Sequence, residues 1–463
     1  MVAVATGSGD PRVLGSSVVG HADDEFLRTF YGALKDQPLE PDDEKYVRIY
    51  EGDASSTADP VARLARGISW AQDESTQLFS GFRGTGKSTE LRRLRRKLTE
   101  QGYRVVLCDM KNYLNTSTPV DISDFLISAA GALSDALAKD DELLGEDVAH
   151  RSYWERAVDF MFRTNVTVGD VQPGTTVGDA TSSLKVGLRQ DPTFRQQLQE
   201  HMKGHLGRLV DDVREFMADC VHAVRRKHKD TKLVVLFDSV EQIRGSSVND
   251  AEVFASVETL FAGHPDKLKF QGMHVVYTAP PWLKMRSPGV SRNYDGAYLL
   301  PCVKVRRPDG QPFEGGLAVL RDIVSGRGDW SQVFASQDDL DHVLLQTGGY
   351  LRDLFRALQK MLMNAAERGE VPLDRAAIDE ELAALRNDYL PISIADAKWL
   401  HQVAQSHEAE LPRHEELPEL SRYFDNHLLL CYRNGDEWYD LHPLIREKVE
   451  GLALRSQPVK NEP

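Results

Sequence analysis

Eight consecutive residues have the types and spacing of a phosphate-binding loop. Segment 81–88 reads G-F-R-G-T-G-K-S, which matches the pattern G-x-x-x-x-G-K-[ST]. Its glycines let successive N–H groups point at phosphate oxygens, and a following helix would aim its positive end at the same anion. We expect Lys87 to reach the β- and γ-phosphates and the Ser88 hydroxyl to ligate Mg²⁺. The predicted phosphate-binding set is Gly81, Phe82, Arg83, Gly84, Thr85, Gly86, Lys87, Ser88 and Thr89.

A carboxylate that could hold the metal follows a strongly apolar run. The sequence L-V-V-L-F-D ends at Asp238, where a buried strand would present the acid that positions a metal-bound water. The next residue is Ser239, and the next carboxylate is Glu241. Glu241 could polarise the attacking water if the chain turns at this point. It could equally be a solvated carboxylate in the first turn of the next helix.

Three further side chains are candidates for the same chemistry. Thr278 ends the run M-H-V-V-Y-T. It could lie between Asp238, which is at the Walker B position, and the γ-phosphate, although Thr is also common in strands. Arg286 and Arg292 follow, and either could act as an arginine finger in its own subunit or a neighbour. Both are also typical of an exposed surface. Of the two, Arg286 is the predicted catalytic residue.

A fourth candidate, Arg352, lies in G-G-Y-L-R-D, just before a strongly periodic helix. At the start of that helix it could point at a nucleotide across a domain cleft, or it could pair with Asp353. His201 and His205 have the i, i+4 spacing of a metal pair, but no third ligand is recognisable nearby, which favours a solvated pair.

The elements that must position these side chains alternate between strands and helices. A strand at 76–81, a helix at 87–101 and a strand at 103–110 form a βαβ unit, which indicates a parallel sheet covered by helices. The apolar run 232–238 is typical of a central parallel strand. Further strands are predicted at 45–51, 273–279 and 298–305, the last as an edge strand containing Pro301.

Helices dominate the remainder of the chain. The patterns predict helices at 24–35, 60–72 and 121–137, irregular structure or a small hairpin at 163–191, and a long helical stretch at 193–229. Residues 313–387 read as helical throughout. The segment 391–453 reads as helix, helix, hairpin and helix, with Asn434-Gly435 as the hairpin turn.

Several of these segments resemble the AAA+/STAND group of P-loop ATPases. The segments are GFRGTGKSTEL, LVVLFDSVEQI, VVYTAPP, GGYLRDLFR and the hairpin that ends in LHPLIRE, and together they cover residues 45–453 in outline. The resemblance implies ATP and Mg²⁺ as cofactors, Arg352 as a second sensor of nucleotide, and a protein that changes its assembly state with nucleotide. Some bacterial members of the group act in signalling or defence systems.

The expected fold class is α/β, with a P-loop NTPase parallel sheet and helices on both faces, followed by a helical lid and a winged-helix-like domain. Two departures from the group stand out. The second acid of the Walker B motif is displaced to Glu241, which indicates slow hydrolysis, and the chain between Ser88 and Asp238 is unusually long. The expected organisation is a leader and helix (1–44), a P-loop ATPase domain (45–310) with an insertion (140–230), the helical lid (311–388), the winged-helix-like domain (389–455) and a tail (456–463).

The composition limits the number of domains and the cellular compartment in which the protein is expected. The 463 residues predict two to four domains, and 41% hydrophobic with 27% charged residues is ordinary for a chain with buried cores. Four scattered cysteines suit a reducing compartment, no apolar run approaches a membrane span, and the first residues do not resemble a secretion signal. We therefore expect a cytoplasmic protein without membrane contact.

Three functions remain open at this stage. The first is a regulatory ATPase switch that self-associates and controls a separate protein partner. The second is a DNA-handling factor of the initiator or loader type, and the third is a nucleotide-binding scaffold that does not hydrolyse. A net charge of −15 and the acidic hairpin tip at Asp436 and Glu437 disfavour nucleic acid, since a wing that reads DNA would be basic. The switch is the favoured reading.

Overall fold

The computed structural model describes residues 20–50, 59–139, 152–172, 174–229, 231–246, 248–409 and 417–455. Residues 1–19 of the predicted leader and helix (1–44), and the whole predicted tail (456–463), lie outside these residues. Strand β1 (Gly20–His21) and helices α1 (Asp24–Ala33) and α2 (Pro60–Trp70) precede the main sheet. Helix α2 begins as the sequence predicts, because Asp59 accepts hydrogen bonds from Val61 N and Ala62 N ahead of Pro60 at the first helical position.

A five-stranded parallel sheet forms the centre of the molecule. Its strands are β2 (Ser75–Gly81), β3 (Arg104–Asp109), β4 (Leu233–Asp238), β5 (Met273–Ala279) and β6 (Gly296–Leu300). Their spatial order is β3-β4-β5-β2-β6, so β5 separates the strand of the glycine-rich loop from the strand of Asp238. Since all strands are parallel, Gly81 and Asp238 both lie at the carboxyl edge, where α/β sheets bind ligands. β6 is at the predicted edge position.

Both faces of this sheet are buried. Along β4, Leu233, Val235 and Phe237 join one hydrophobic core, while Val234 and Leu236 join the other. The first core contains α4 (Ile122–Lys139), and the second contains α2 and α3 (Lys87–Glu100). This alternation follows from the two-residue period of a strand and explains the continuous apolar run. The predicted parallel sheet with helices on both faces is confirmed.

After α4, and still between β3 and β4, the described part of the chain adds four further helices to the same face of the sheet. They are α5 (Tyr153–Arg163), α6 (Val177–Gln190), α7 (Pro192–Met202) and α8 (Leu206–Lys227). Helix α5 lies against α4, where Trp154 packs so closely on Gly131 that a Cβ there would come within 2.1 Å of the indole ring. The Trp154 indole N–H also donates to Asp135, at 3.1 Å.

Three sequence-based expectations about elements are wrong. Residues 45–50 form no strand, because they face a cavity rather than a neighbouring strand. The segment predicted as irregular contains α6, which begins where Thr176 accepts a hydrogen bond from Asp179 N, and which buries Leu184 and Leu188. The helical stretch after residue 192 is divided into α7 and α8 around Gly204.

The chain then continues through α9 (Asp250–Glu258) and α10 (Leu283–Arg286) into a helical region. We call this region, where the lid is predicted, the helical lid; its helices are α11 (Glu314–Ser325), α12 (Gln337–Gln346), α13 (Leu351–Arg368) and α14 (Arg375–Arg386). A two-residue strand, β7 (Glu370–Val371), pairs with β1. We call residues 394–455 the C-terminal module. It consists of α15 (Ile394–Ser406), α16 (Leu417–Asp425), β8 (Leu429–Asn434), β9 (Asp436–Leu441) and α17 (Arg446–Arg455).

The elements of the C-terminal module follow the predicted order of helix, helix, hairpin and helix, and the hairpin turns at Gly435 with a φ of 98°. Strand β8 lies beside the end of the main sheet, since Cys302 N donates to Cys431 O at 2.9 Å. Among the helices that the structure describes, none has the length and apolar character needed to cross a membrane.

Candidate nucleotide-binding site

A cavity of about 390 Å³ opens at the carboxyl edge of the sheet, between the glycine-rich loop, the segment 36–49 and the helical lid. Gly84 and Gly86 have φ values of 78° and 90°, a region in which side chains are strained. Helix α3 begins at Lys87 without a side-chain cap, so its first N–H groups are free for an anion. The predicted residues that line the cavity are Arg83, Gly84, Thr85, Gly86, Lys87, Ser88, Thr89, Asp238, Glu241 and Arg352.

The Lys87 ammonium group is buried and fully engaged inside the loop. It donates hydrogen bonds to Gly81 O at 2.8 Å and Phe82 O at 2.5 Å, and it forms an ion pair with Glu241 at 3.1 Å. The side chains of Lys87 and Glu241 are only 3% and 4% exposed. The second Glu241 oxygen is buried without a hydrogen-bond partner among the described residues. An arriving phosphate would therefore compete with Glu241 for the same ammonium group.

The geometry around Asp238 suits a magnesium ion. Burial and the nearby Glu241 charge raise the pKa of Asp238 to about 6, while a hydrogen bond from Ser88 opposes this shift. A carboxylate beside a hydroxyl, next to a phosphate-binding loop, is the oxygen donor set that Mg²⁺ uses with nucleotide phosphates. A divalent cation here would favour the charged form that burial disfavours. Asp238 and Ser88 therefore fit the predicted metal site.

Thr278 does not line the cavity but holds the turn behind it. Its hydroxyl accepts a hydrogen bond from Val240 N at 2.9 Å and donates one to Phe237 O at 3.3 Å. The turn contains Ser239 in a left-handed conformation, with a φ of 68°. That conformation costs free energy for a residue with a side chain. It places Glu241 opposite Lys87, so Thr278 contacts the turn that carries the acid rather than the cavity.

Part of the cavity lining is apolar. Val47, Ile49, Ile323 and Phe355 line it, and the Arg327 guanidinium lies 4.6 Å from the centre of the Phe355 ring. Arg327 also donates to Lys45 O and Ile323 O, at 3.3 and 2.8 Å. An apolar slot beside a phosphate loop matches the planar base of a nucleotide. These residues come from three separate segments, and no local motif marks them.

Arg352 lies directly over the glycine-rich loop. A Cβ on Gly84 would come within 2.7 Å of the Arg352 Cβ and 2.9 Å of its Nε. Arg352 forms an ion pair with Asp36 at 2.6 Å, whereas Asp353 pairs with Arg356 at 3.2 Å. The alternative in which Arg352 pairs with Asp353 is therefore not the arrangement found.

The arginine finger candidates lie away from the cavity. Arg286 pairs with Glu258 at 3.0 Å, and Arg292 is exposed. The catalytic role of Arg286 stays a prediction for which this geometry offers no support within a single chain. His201 bonds to Gln197 O at 2.8 Å, and no cluster of metal-ligating side chains includes it or His205 in the described ranges.

The C-terminal module contacts the glycine-rich loop itself, which the sequence did not reveal. Phe82 stacks on Phe424 with ring centres 5.6 Å apart, and a ring nitrogen of His427 lies 3.2 Å from Arg83 O. His427 also stacks on Tyr350, at 4.6 Å between ring centres. Burial, together with Arg352 and Arg83, holds the pKa of His427 well below its usual range. The neutral ring, in the tautomer that carries the proton on Nε2, donates a hydrogen bond to the Arg83 carbonyl oxygen.

Comparisons with known proteins give distant structural likenesses and no match in sequence. No family model matches the chain, and no curated protein is similar to it in sequence. Among solved structures, the Aeropyrum pernix ORC2 protein, in ADPNP–ADP complexes, is similar over 91% of this chain and 97% of that one. The sequence identity is 13% and the TM-score is 0.37, which is too distant to bear on function. The P-loop type of α/β fold follows instead from the strand order and the loop at 81–88.

Proposed function

We propose that this protein is an ATP-binding, slowly hydrolysing switch that couples nucleotide state to protein assembly or to control of a partner. One observation carries the proposal: the glycine-rich loop is contacted at once by the helical lid, through Arg352, and by the C-terminal module, through Phe424 and His427. A nucleotide that changes this loop must change its contacts with both parts.

The cavity divides into three zones that match the parts of Mg-ATP. The free N–H groups at the start of α3 and the Lys87 ammonium group would hold the phosphates. Ser88 and Asp238 would hold Mg²⁺, which neutralises phosphate charge during transfer. The apolar slot beside Phe355 would accept the base. Arg352 lies near the loop and could add a charge-assisted hydrogen bond to a phosphate.

Glu241 is the best-placed base for hydrolysis in this chain. In the structure its carboxylate is committed to Lys87, at 3.1 Å. Phosphates that draw the ammonium group away would release this carboxylate to orient a water. Because Glu241 lies three residues beyond Asp238 and must first leave Lys87, we infer slow turnover. Arg286 remains a candidate finger only for a neighbouring subunit.

A nucleotide could change the rest of the molecule only if it binds one position of the helical lid more tightly than another. A ligand shifts a conformational equilibrium only when it binds one state more tightly than the other. Arg352 belongs to the lid and reaches the loop only when the lid is closed over it, so ATP contacting Arg352 favours closure. The C-terminal module rests on the same loop and would respond to the same event.

The packing of the hairpin favours this function over DNA binding. Tyr432 donates to Gly348 O at 2.7 Å, its ring stacks on Trp438 at 4.6 Å, and both side chains are buried. Near the tip, Glu437 pairs with Lys284 of α10. A wing that reads DNA presents free basic side chains, whereas this hairpin uses its side chains to hold the C-terminal module against the core.

Hydrogen exchange of the full chain, with and without a slowly hydrolysed ATP analogue, tests the proposal. We expect the analogue to change amide protection at 81–89 and also at 419–432, where the C-terminal module touches the loop. Lys87→Ala should lose both changes. If the analogue changes amide protection only at 81–89 and leaves 419–432 unaffected, the protein binds nucleotide without transmitting its state. That result would contradict the proposed switch and favour a nucleotide-binding scaffold.

A further inference from the structure

A second cleft lies on the other side of Arg83 and Arg352 from the nucleotide cavity. It has a volume of about 490 Å³ and is formed jointly by the sheet domain, the helical lid and the C-terminal module. Arg83 and Arg352 line both spaces, whereas Lys87 and Asp238 line only the nucleotide cavity and Arg244 lines only this cleft. Its charged residues are Arg83, Arg244, Arg352, Arg356, Arg422, Asp353, Asp388 and Asp425.

Most of these charges are paired within the protein. Arg352 pairs with Asp36, Arg356 with Asp353 and Asp388, and Arg422 with Asp396 and Glu419. These pairs satisfy three of the five arginines and two of the three aspartates in the cleft. The uncompensated charges are therefore confined to the remaining two arginines and one aspartate.

Arg83 and Arg244 have no ion-pair partner within 4 Å in the part of the chain that the structure describes. The Arg83 Nε atom is buried and has no hydrogen-bond acceptor among those residues. A buried donor without an acceptor costs free energy that a ligand can recover. Asp425 is the nearby carboxylate, and burial raises its pKa to about 6 while both arginines oppose that shift. One carboxylate cannot balance two guanidinium groups.

We propose that this cleft is a second anion site, which binds the phosphate group of a small phosphorylated molecule between Arg83 and Arg244. Guanidinium groups present planar forks that match phosphate oxygens. A volume of about 490 Å³ is that of a small-molecule site, and Tyr350, Tyr389, Leu390 and Leu428 supply an apolar wall for the remainder of such a molecule.

This location would make the ligand a regulator of the same switch. A molecule in the cleft contacts all three parts of the protein and shares two arginines with the nucleotide cavity. Because both ligands would contact Arg83 and Arg352, we expect each to alter the affinity for the other, and linkage requires the two effects to be the same factor. A phosphorylated effector would therefore change nucleotide affinity, and nucleotide would change effector affinity equally.

Calorimetry with inorganic pyrophosphate tests the site, because two variants separate it from the glycine-rich loop. Lys87→Ala should remove pyrophosphate binding at the loop and retain binding in the cleft. In the Lys87→Ala background, Arg244→Gln should weaken the remaining binding at least about tenfold, while Arg208→Gln, an exposed arginine of α8, should leave it unchanged. Asp425→Asn should act in the opposite direction and tighten binding, which guards against a variant that simply unfolds.

Two results would overturn the proposal. If Lys87→Ala alone abolishes all pyrophosphate binding, the anion binds only the glycine-rich loop. If a hexaglutamate peptide binds in an Arg244-dependent way and pyrophosphate does not, the cleft receives an acidic protein segment instead. Residual binding that Arg244→Gln weakens and Asp425→Asn strengthens would support the phosphate site.

Discussion

The ion pair between Lys87 and Glu241 connects the two most important chemical groups of the site. One is the expected phosphate ligand and the other the expected base, yet the structure shows them bound to each other at 3.1 Å in a buried environment. Removing one partner of a buried pair leaves an uncompensated charge, which is strongly unfavourable. Phosphates can take the place of Glu241 because they supply negative charge to the same ammonium group.

The first prediction concerns Lys87. Lys87→Ala removes the ammonium group that lies inside the glycine-rich loop, so ATP affinity should fall at least about tenfold. Calorimetry with ATP and Mg²⁺ measures this, and Lys97→Ala, an exposed lysine of the same helix, is the matched control. Unchanged ATP affinity in folded Lys87→Ala would show that nucleotide binds elsewhere.

Glu241 is the subject of the second prediction. Glu241→Gln keeps the size of the side chain but cannot accept a proton from water, so phosphate release should fall at least tenfold, or about 1.4 kcal/mol in barrier. ATP affinity should be equal or higher, because Lys87 loses its competing carboxylate. Glu252→Gln, on the exposed side of α9, should behave as wild type. Wild-type turnover in Glu241→Gln would mean that this residue is structural.

A third prediction follows from Asp238, whose pKa burial raises to about 6. The metal needs the ionised carboxylate, which is present above pH 6 and is lost as the pH falls below it. The terminal phosphate of ATP also takes up a proton near pH 6. The Mg²⁺-dependent part of ATP affinity should therefore decline below about pH 6 more steeply than protonation of that phosphate alone would cause, whereas an ordinary Asp would add no loss until about pH 4. Calorimetry with Mg²⁺ and with EDTA across this range measures it, and a flat profile from about pH 5 to 8 would contradict it.

At the scale of elements, the sequence predicts correctly those helices, strands and loops whose formation depends on residues close together in the chain. The loop at 81–88 was identified because its glycines and the following helix lie within one short segment. The apolar run of β4 predicted a central strand because both of its faces are buried. The segment 45–50 alternates like a strand, but a strand needs a partner, and alternation cannot show that its apolar side chains face a cavity.

Helix α13 carries the fourth prediction. Arg352→Ala removes the lid's charged contact above Gly84 while leaving Lys87, Ser88 and Asp238 in place. ATP affinity should fall less than for Lys87→Ala, but the exchange changes at 419–432 should be lost, because ATP no longer favours the closed lid. Arg368→Ala, at the exposed end of the same helix, is the control. Wild-type exchange in Arg352→Ala would show that another contact transmits the nucleotide state.

At the scale of the whole molecule, the sequence predicts the order of the sheet, the helical region and the C-terminal module, but it does not predict which of their residues touch. Phe82 stacks on Phe424, and Arg83 meets His427, across more than 300 residues of chain. Such pairs leave no periodic or spacing signal, so neither the packing of the C-terminal module on the loop nor the second anion cleft could be read from one sequence. The proposed domain boundaries and the winged-helix comparison stay predictions.

The overall charge bears on the choice between partners. With a net charge of −15 and a hairpin whose aromatic side chains are buried, the molecule offers little to the phosphate backbone of DNA. An assembly of copies of this chain, or a complex with another protein, is the output that we propose. DNA binding would have to depend on local basic patches and would weaken steeply with salt.

Light scattering of the full chain, with ADP and with a slowly hydrolysed ATP analogue, tests the central claim most directly when run beside a DNA mobility shift. We predict that the ATP analogue changes the measured mass of the wild type, or of its complex with a protein partner, and that Arg352→Ala abolishes this change. A mass that is the same in both nucleotide states, together with nucleotide-dependent and salt-sensitive DNA binding that is lost on mutating Tyr432–Trp438, would contradict the account.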